Sequence, residues 1–154
     1  MRCCADIRGM KVMFTINKEK VFEEVAKTTA YVGALNDAYE KVSTVDANEE
    51  ILSSFAEVAI NDILCALGAY NPVADGLSIE VDMPQEYETA KTEIITRLIF
   101  EYIVSVVIWK WLYLMFPEKA VMWEQKAVTA LQKMKSYVNS AARTRLLRRP
   151  MRPF

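Results

Sequence analysis

The chain has 154 residues, of which 53% are hydrophobic and 25% are charged, so it can form one domain with a sizeable core and is not a disordered chain. Its formal net charge is −1, and it contains no histidine. Histidine is the most common general base and the most common metal ligand. Its absence excludes Ser-His-Asp triads, Cys-His dyads and His-based zinc sites within this chain.

The glycines and cysteines exclude further kinds of site. No two of the four glycines lie close enough to form the phosphate-binding loop of a P-loop or Rossmann protein. The three cysteines, at positions 3, 4 and 65, lack the spacing of a disulfide framework. We expect Cys65, in an apolar helical stretch, to be a small buried side chain. The sequence therefore predicts no catalytic residue, no metal ligand and no cofactor, and we expect the protein not to be an enzyme.

The first half of the chain predicts an N-terminal arm and two helices. We expect residues 1–16 to form an arm or a short strand, the strand lying around Lys11–Ile16. Asn17 can cap a helix whose apolar residues recur at helical spacing as far as about Gly33. A second helix follows a cap at Asp46 or Asn48 and carries a broad apolar stripe. Gly68 fits the left-handed position at its end.

The second half predicts one extended segment and two longer helices. After a loop at 71–76, apolar and polar residues alternate over Leu77–Met83, which indicates a strand that pairs with the N-terminal arm, with another extended segment or with a neighbouring subunit. Pro84 can begin a helix of roughly 48 Å that runs to about Phe116. Pro117 suits the first position of a final helix, which we expect to run to about Arg145.

These elements define the expected fold class and domain organisation. We predict an all-α protein, a bundle of about four helices with a long central helix, one short extended excursion and an extended basic C-terminal arm. Residues 1–16 form the N-terminal arm or strand, residues 17–138 the helical bundle with its excursion at 71–83, and residues 139–154 the C-terminal arm.

The long helix is apolar enough to raise the question of a membrane span. The stretch 94–116 has the length of such a span, but it contains Arg97, Glu101 and Lys110. Each central charge costs about 2.5–3.5 kcal/mol on insertion. Its longest uncharged run, Tyr102–Trp109, has only eight residues. We therefore favour a buried central helix over a membrane-associated protein.

The C-terminal part of this helix predicts a subunit interface. From Tyr102 onward apolar groups occupy nearly every angle of the helix, and such a helix has to be covered on all sides. Three other helices can hardly enclose all of it. We therefore expect some of its aromatic residues to face a partner, although a compact bundle that buries them all stays an alternative. The candidates are Trp109, Trp111, Tyr113 and Phe116.

The end of the chain carries a separate signal in its charge. All twenty acidic residues lie at or before Glu124, so that residues 1–138 carry a net charge of −6 and residues 139–154 a net charge of +5. Apolar side chains alternate with the arginines, and Pro150 and Pro153 favour an extended backbone. We predict that this arm docks on a partner protein. The residues expected to make that contact are Arg143, Arg145, Leu147, Arg148, Arg149, Met151, Arg152 and Phe154.

Two alternatives to docking stay open for the arm. Arginine clusters also bind phosphates, so the chain is alternatively a nucleic-acid-binding accessory protein. A basic tail of this length is also compatible with a purely solubilising role. The apolar residues among the arginines favour docking, since a solvated tail has little use for them.

The layout of the chain resembles that of the head–tail connector proteins of tailed bacteriophages, the adaptor or head-completion proteins that form a ring below the portal. The likeness covers residues 17–154. It is carried by the excursion Asn71–Met83, by the aromatic-rich helix Lys91–Phe116 and by the ending RTRLLRRPMRPF. The likeness implies a structural virion protein in the neck between capsid and tail, with no enzyme activity, no cofactor and no membrane.

The same resemblance implies the partners of the protein. It implies a homo-oligomeric, dodecameric ring whose C-terminal arm docks on the portal protein and whose other side meets tail proteins. DNA then passes through the central channel without sequence-specific binding.

Overall fold

The structure is a computed structural model, and it describes residues 9–35, 49–84 and 86–142. The described part contains four α-helices: α1 (Lys18–Leu35), α2 (Glu49–Ala66), α3 (Thr92–Met115) and α4 (Pro117–Ala142). It also contains three strands: β1 (Met10–Phe14), β2 (Val73–Asp75) and β3 (Ser78–Met83). The expected fold class, a mainly helical bundle of four helices with an extended excursion, is confirmed.

Helix α3 is the central element of the bundle. It packs along α4 over most of its length and also contacts α1, α2 and β1. Residues Tyr102–Ile108 are buried without interruption, so the middle of α3 is covered on every side. This agrees with the expected buried central helix. By length and composition alone, the segment Thr89–Met115 could also cross a membrane, but 61% of its apolar stretch is buried inside the protein.

The extended excursion is part of a three-stranded antiparallel sheet. Its strand order is β1-β3-β2, and Val12 of β1 lies opposite Val81 of β3. The alternation predicted for the excursion is confirmed, since Ile79, Val81 and Met83 are buried and the intervening side chains are at least partly exposed. Strand β3 pairs with the N-terminal arm on one side and with a second extended segment on the other, two of the three expected partners at once.

The prediction of a loop at 71–76 is wrong for Val73–Asp75, which form strand β2. It pairs with β3 through a two-residue connection, Gly76–Leu77, and Gly76 has a φ of 61°. A positive φ at the first loop residue is what a tight hairpin turn of the II′ kind requires, and glycine adopts it without steric cost. Gly68 does not occupy the expected left-handed position. It begins a short 3-10 turn, and Asn71, at the end of that turn, has the positive φ of 49°.

The start of the central helix also differs from its prediction. The helix begins at Thr92 rather than at Pro84, after a 3-10 turn over Thr89–Lys91. Tyr87 is buried, and its hydroxyl forms a hydrogen bond with Thr92 Oγ1 at 2.9 Å. The backbone N–H of Glu88 donates to the carbonyl oxygen of Ala141 at 3.2 Å. These contacts hold the segment in a non-helical conformation, so α3 is about 36 Å long instead of 48 Å.

Two further predictions concern α1 and α2. Asn17 caps α1 as expected, because its Oδ1 accepts hydrogen bonds from the backbone N–H groups of Glu19 at 2.9 Å and Lys20 at 3.5 Å. The prediction of a buried Cys65 is wrong, since Cys65 is exposed on α2. The face of α2 that packs inward is narrower than the apolar stripe, and Ile51 and Val58, which belong to that stripe, are also exposed. The caps expected at Asp46 or Asn48 lie outside the described residues.

Candidate interaction surface

The end of α3 forms an exposed apolar surface at one end of the bundle. Tyr113, Leu114 and Met115 are consecutive, and their exposed fractions are 65%, 62% and 43%. The chain then turns at Phe116 and Pro117, and α4 returns antiparallel along α3. Helices in water usually bury residues of this kind, so three adjacent exposed ones make this surface a candidate for a contact with another molecule.

An apolar pocket adjoins these residues. It has a volume of about 280 Å³ and is lined by Phe55 of α2 and by Trp109, Lys110, Tyr113 and Leu114 of α3. Helix α2 contributes to it because α2 lies beside α3, with the hydroxyl of Tyr102 donating to Asp62 Oδ2 at 2.9 Å. We call the surface made by Phe55, Trp109, Tyr113, Leu114 and Met115 the apical surface.

The four aromatic residues predicted for an interface take different positions. Trp109 and Tyr113 line the pocket, so the structure brings these two together. Trp111 is 8% exposed and belongs to the core, and Phe116 is partly buried against that core. The chain itself therefore covers Trp111, which does not contribute to the apical surface. Use of the surface as a subunit interface stays a prediction.

Sequence reasoning missed three members of the apical surface. Phe55 belongs to the apolar stripe of α2, and Leu114 and Met115 are not among the predicted interface residues. The available signal was the apolar run that continues from Trp111 through Phe116 without a charged residue. A run of that kind has no polar face to turn to water, so part of it has to be exposed at the end of a helix.

Lys110 lies beside the aromatic residues of the pocket. Its Nζ lies 4.7 Å from the centre of the Trp109 ring, a cation–π contact. Such a contact is worth about 0.5–1 kcal/mol at an exposed site. The ammonium group of Lys110 thus lies over one face of the Trp109 indole, beside the pocket.

A second concave region lies between α1 and α4, with α3 as its floor. It consists of two neighbouring cavities of about 720 Å³ and 550 Å³, whose linings share Arg97 and Phe100. We call it the α1–α4 trough. Sequence reasoning did not predict it, since it depends on how two helices are spaced over a third. Its lining carries both charges: Lys20 and Glu24 of α1, Glu93, Arg97 and Glu101 of α3, and Lys126 and Lys133 of α4.

The most strongly perturbed side chain of the described part is Tyr102. It is buried, and both its burial and the neighbouring Asp62 raise the pKa of its hydroxyl above the ordinary value for tyrosine. Tyr102 therefore stays protonated and donates to Asp62. Burial also raises the pKa of Tyr87, although its hydrogen bond to Thr92 opposes that change. Both tyrosines hold elements of the bundle together, and neither lies in the pocket or in the trough.

Within residues 9–35, 49–84 and 86–142, no group of three or more cysteine, aspartate and glutamate side chains could hold a metal ion. The eight docking residues between Arg143 and Phe154 lie outside the described residues.

Comparison of the chain with protein-family models, with curated proteins and with solved structures found no match. The likeness to head–tail connectors therefore stays a prediction based on layout.

Proposed function

We propose that this chain is a structural assembly subunit that contacts other proteins through the apical surface and through its C-terminal arm. The observation that carries the proposal is the apical surface itself, with Tyr113 and Leu114 more than half exposed beside an apolar pocket. Burying such side chains in a contact removes apolar area from water, which is the main driving force of protein association.

The distribution of charge supports different partners for the helical body, residues 1–138, and for the C-terminal arm, residues 139–154. The body has more carboxylates than basic groups, whereas every charged side chain of the arm is an arginine. An acidic body does not attract a nucleic acid, because like charges repel over a distance of about 8–10 Å at physiological salt. The arm is suited to a different partner, one with an acidic groove and apolar pockets.

The more specific form of the proposal is a head–tail connector of a tailed bacteriophage. In this form the subunits close into a ring below the portal, the arm docks on the portal protein, and DNA passes through the ring to the tail. A ring needs two different side faces that contact each other, and the apical surface supplies one apolar face of this kind. The layout of the chain supports this form of the proposal.

The experiment is a binding measurement between the full chain and purified portal protein at several salt concentrations. Replacing Leu147 and Phe154 with serine should weaken binding at least tenfold, whereas Thr144→Ala, in the same arm, should leave it unchanged. Because the apolar anchors hold the arm, the affinity should fall only modestly between 50 and 200 mM salt. If the serine variants bind as the parent does, the docking proposal is wrong.

The same experiment separates docking from the nucleic-acid alternative. An arm that binds phosphates loses affinity steeply as salt rises, because each neutralised phosphate releases a counterion. Binding of a labelled DNA oligonucleotide that falls steeply with salt and depends on Arg148 and Arg149, with no portal binding, would replace the proposed function with the alternative.

A further inference from the structure

The outer side of α2 combines exposed apolar side chains with acidic ones. Ile51 and Val58 are 42% and 41% exposed, and because they are seven residues apart they lie on the same side of the helix. Glu57 precedes Val58 and is also exposed. We call the surface made by Ile51, Glu57 and Val58 the α2 face. Helix α2 carries no basic residue, and its four acidic residues are Glu49, Glu50, Glu57 and Asp62.

The α2 face adjoins the apical surface. Phe55, which lies between Ile51 and Val58 in sequence, lines the apical pocket together with Trp109 and Tyr113. The α2 face and the apical surface therefore form one side of the bundle. Helix α2 contributes no residue to the α1–α4 trough, so this side and the trough are two different surfaces.

The α4 wall of the trough has the opposite charge. It includes Lys126 and Lys133, and α4 contributes no acidic residue to the lining. The same wall includes Met122, which is 51% exposed, so it too combines charge with apolar area. An acidic, apolar helix is thus complementary to this wall in both respects.

The other charges of the trough decide on which side an acidic helix would lie. Glu93 forms an ion pair with Arg97 at 3.8 Å, and Glu24 and Glu101 belong to the α1 and α3 side. The lining contains four basic and three acidic side chains, and both groups on the α4 wall are basic. A helix with negative charge is therefore attracted to α4 and repelled by the α1 side.

The two surfaces also match in length. The wall from Met122 to Lys133 measures about 17 Å along α4, and the segment from Ile51 to Asp62 measures about 17 Å along α2. The floor of the trough beside the wall includes Phe100, which offers apolar area to the apolar residues of the α2 face. An amphipathic helix that lays its apolar side chains in a groove is a recurrent mode of recognition between proteins.

We propose that the α2 face of one copy of this chain docks along the α4 wall of the trough of the next copy. Each copy offers one surface of each kind, so the contact is heterologous and repeats from copy to copy, closing into a ring where the rotation allows it. The inference rests on the proposed function, for which it supplies the second side face. The apical surface carries the proposed function without the trough, so the two can fail separately.

Cross-linking between two differently tagged chains tests this contact. Both chains have their three native cysteines replaced with serine. One carries Val58→Cys in the α2 face, and the other carries Thr129→Cys in the α4 wall. In the matched control the second chain carries Val128→Cys instead. Val128 is exposed next to Thr129 but lies about 100° away around α4, and it does not line the trough.

The rates of disulfide formation decide the proposal. Under mild oxidation, Val58→Cys and Thr129→Cys should form the mixed disulfide about tenfold faster than the control pair, because the contact holds the two thiols close together. Equal rates would overturn the proposal. Faster formation of Val58→Cys homodimers than of the mixed product would overturn it as well, since two α2 faces would then meet across a two-fold axis.

Exchanging charges between the two surfaces is a second test, read by sedimentation velocity. Glu57→Lys and Lys133→Glu should each weaken self-association by roughly three- to tenfold, because each brings like charges together. An equimolar mixture of the two variants should restore it, since the reversed α2 face of one variant then meets the reversed wall of the other. Lys135→Glu, exposed on α4 outside the trough, is the control and should have no effect.

The results separate this contact from the proposed function. A mixture that associates no better than either variant alone would contradict the contact. If the Tyr113 and Leu114 double variant loses its assembly while the cross-link and the rescue both fail, the proposed function stands and only the contact with the trough is wrong. A parent chain that never self-associates would overturn the contact directly.

Discussion

Replacing Tyr113 and Leu114 together with serine tests the apical surface most directly. About two-thirds of each side chain is exposed in the single chain. Complete burial of a large apolar side chain contributes about 1.5–3 kcal/mol, so covering the exposed part of both in an interface contributes about 2–4 kcal/mol. The double variant should therefore dissociate roughly 30- to 1,000-fold more readily than the parent.

The assay is sedimentation velocity over a concentration series, with thermal unfolding measured in parallel. The melting temperature should stay nearly constant, because substitutions at exposed positions usually change stability by less than about 0.5 kcal/mol. Val73→Ser is the matched control, since Val73 is 64% exposed but lies on β2, away from the apical surface. If the double variant self-associates as the parent does, or if Val73→Ser weakens association equally, the assignment of the surface is refuted.

Three further predictions concern the stability of the fold. Above a pH of about 10, the free energy of unfolding of the parent should fall as pH rises. The reason is that the pKa of Tyr102 is raised in the folded state, so the unfolded chain releases the proton of this hydroxyl first. In urea unfolding series, Tyr102→Phe should reduce that loss of stability. Ile103→Ala, at a fully buried position, should cost about 2–5 kcal/mol in the same assay, and a cost below 1 kcal/mol would contradict the central position of α3. Asn17→Ala should lower the free energy of unfolding by about 1 kcal/mol because it removes a helix cap. Gly76→Ala should lower it by about 1 kcal/mol because alanine is strained at a positive φ. Unchanged midpoints of urea unfolding would show that neither feature contributes to stability.

The parts of the fold that sequence reasoning predicted well are those with a strong local pattern. From Tyr102 onward, apolar groups at nearly every angle indicated a helix that has to be covered on all sides, and Tyr102–Ile108 are buried throughout. The alternation over Leu77–Met83 indicated a strand, and it forms β3. Asn17 indicated a cap, and its side chain accepts the expected backbone hydrogen bonds.

The parts that were missed depend on contacts between residues distant in sequence. Pro84 has the local properties of a first helical residue, but the burial of Tyr87 and the bond from Glu88 to Ala141 delay the helix by two turns. Strand β2 is only three residues long, and all three are exposed, so it carries no alternation and is defined by its pairing with β3. Local propensity cannot predict either feature, because the deciding partner lies far along the chain.

The same distinction applies to the candidate site. The exposure of Tyr113 and the partial exposure of Trp109 follow from an apolar helix end that three other helices cannot cover. The burial of Trp111 and the contribution of Phe55 to the pocket depend on where α2 lies against α3. The trough depends on the spacing of α1 and α4 over α3, which no periodicity in the sequence encodes.

The measurement that tests the central claim most directly is the mass of the purified full chain by native mass spectrometry, alone and mixed with portal protein. An assembly subunit should give a closed oligomer of the 17.6 kDa chain, or a complex of several copies with the portal, and the Tyr113 and Leu114 double variant should lose that assembly. A single species of 17.6 kDa at every concentration, with and without the portal, would contradict the account.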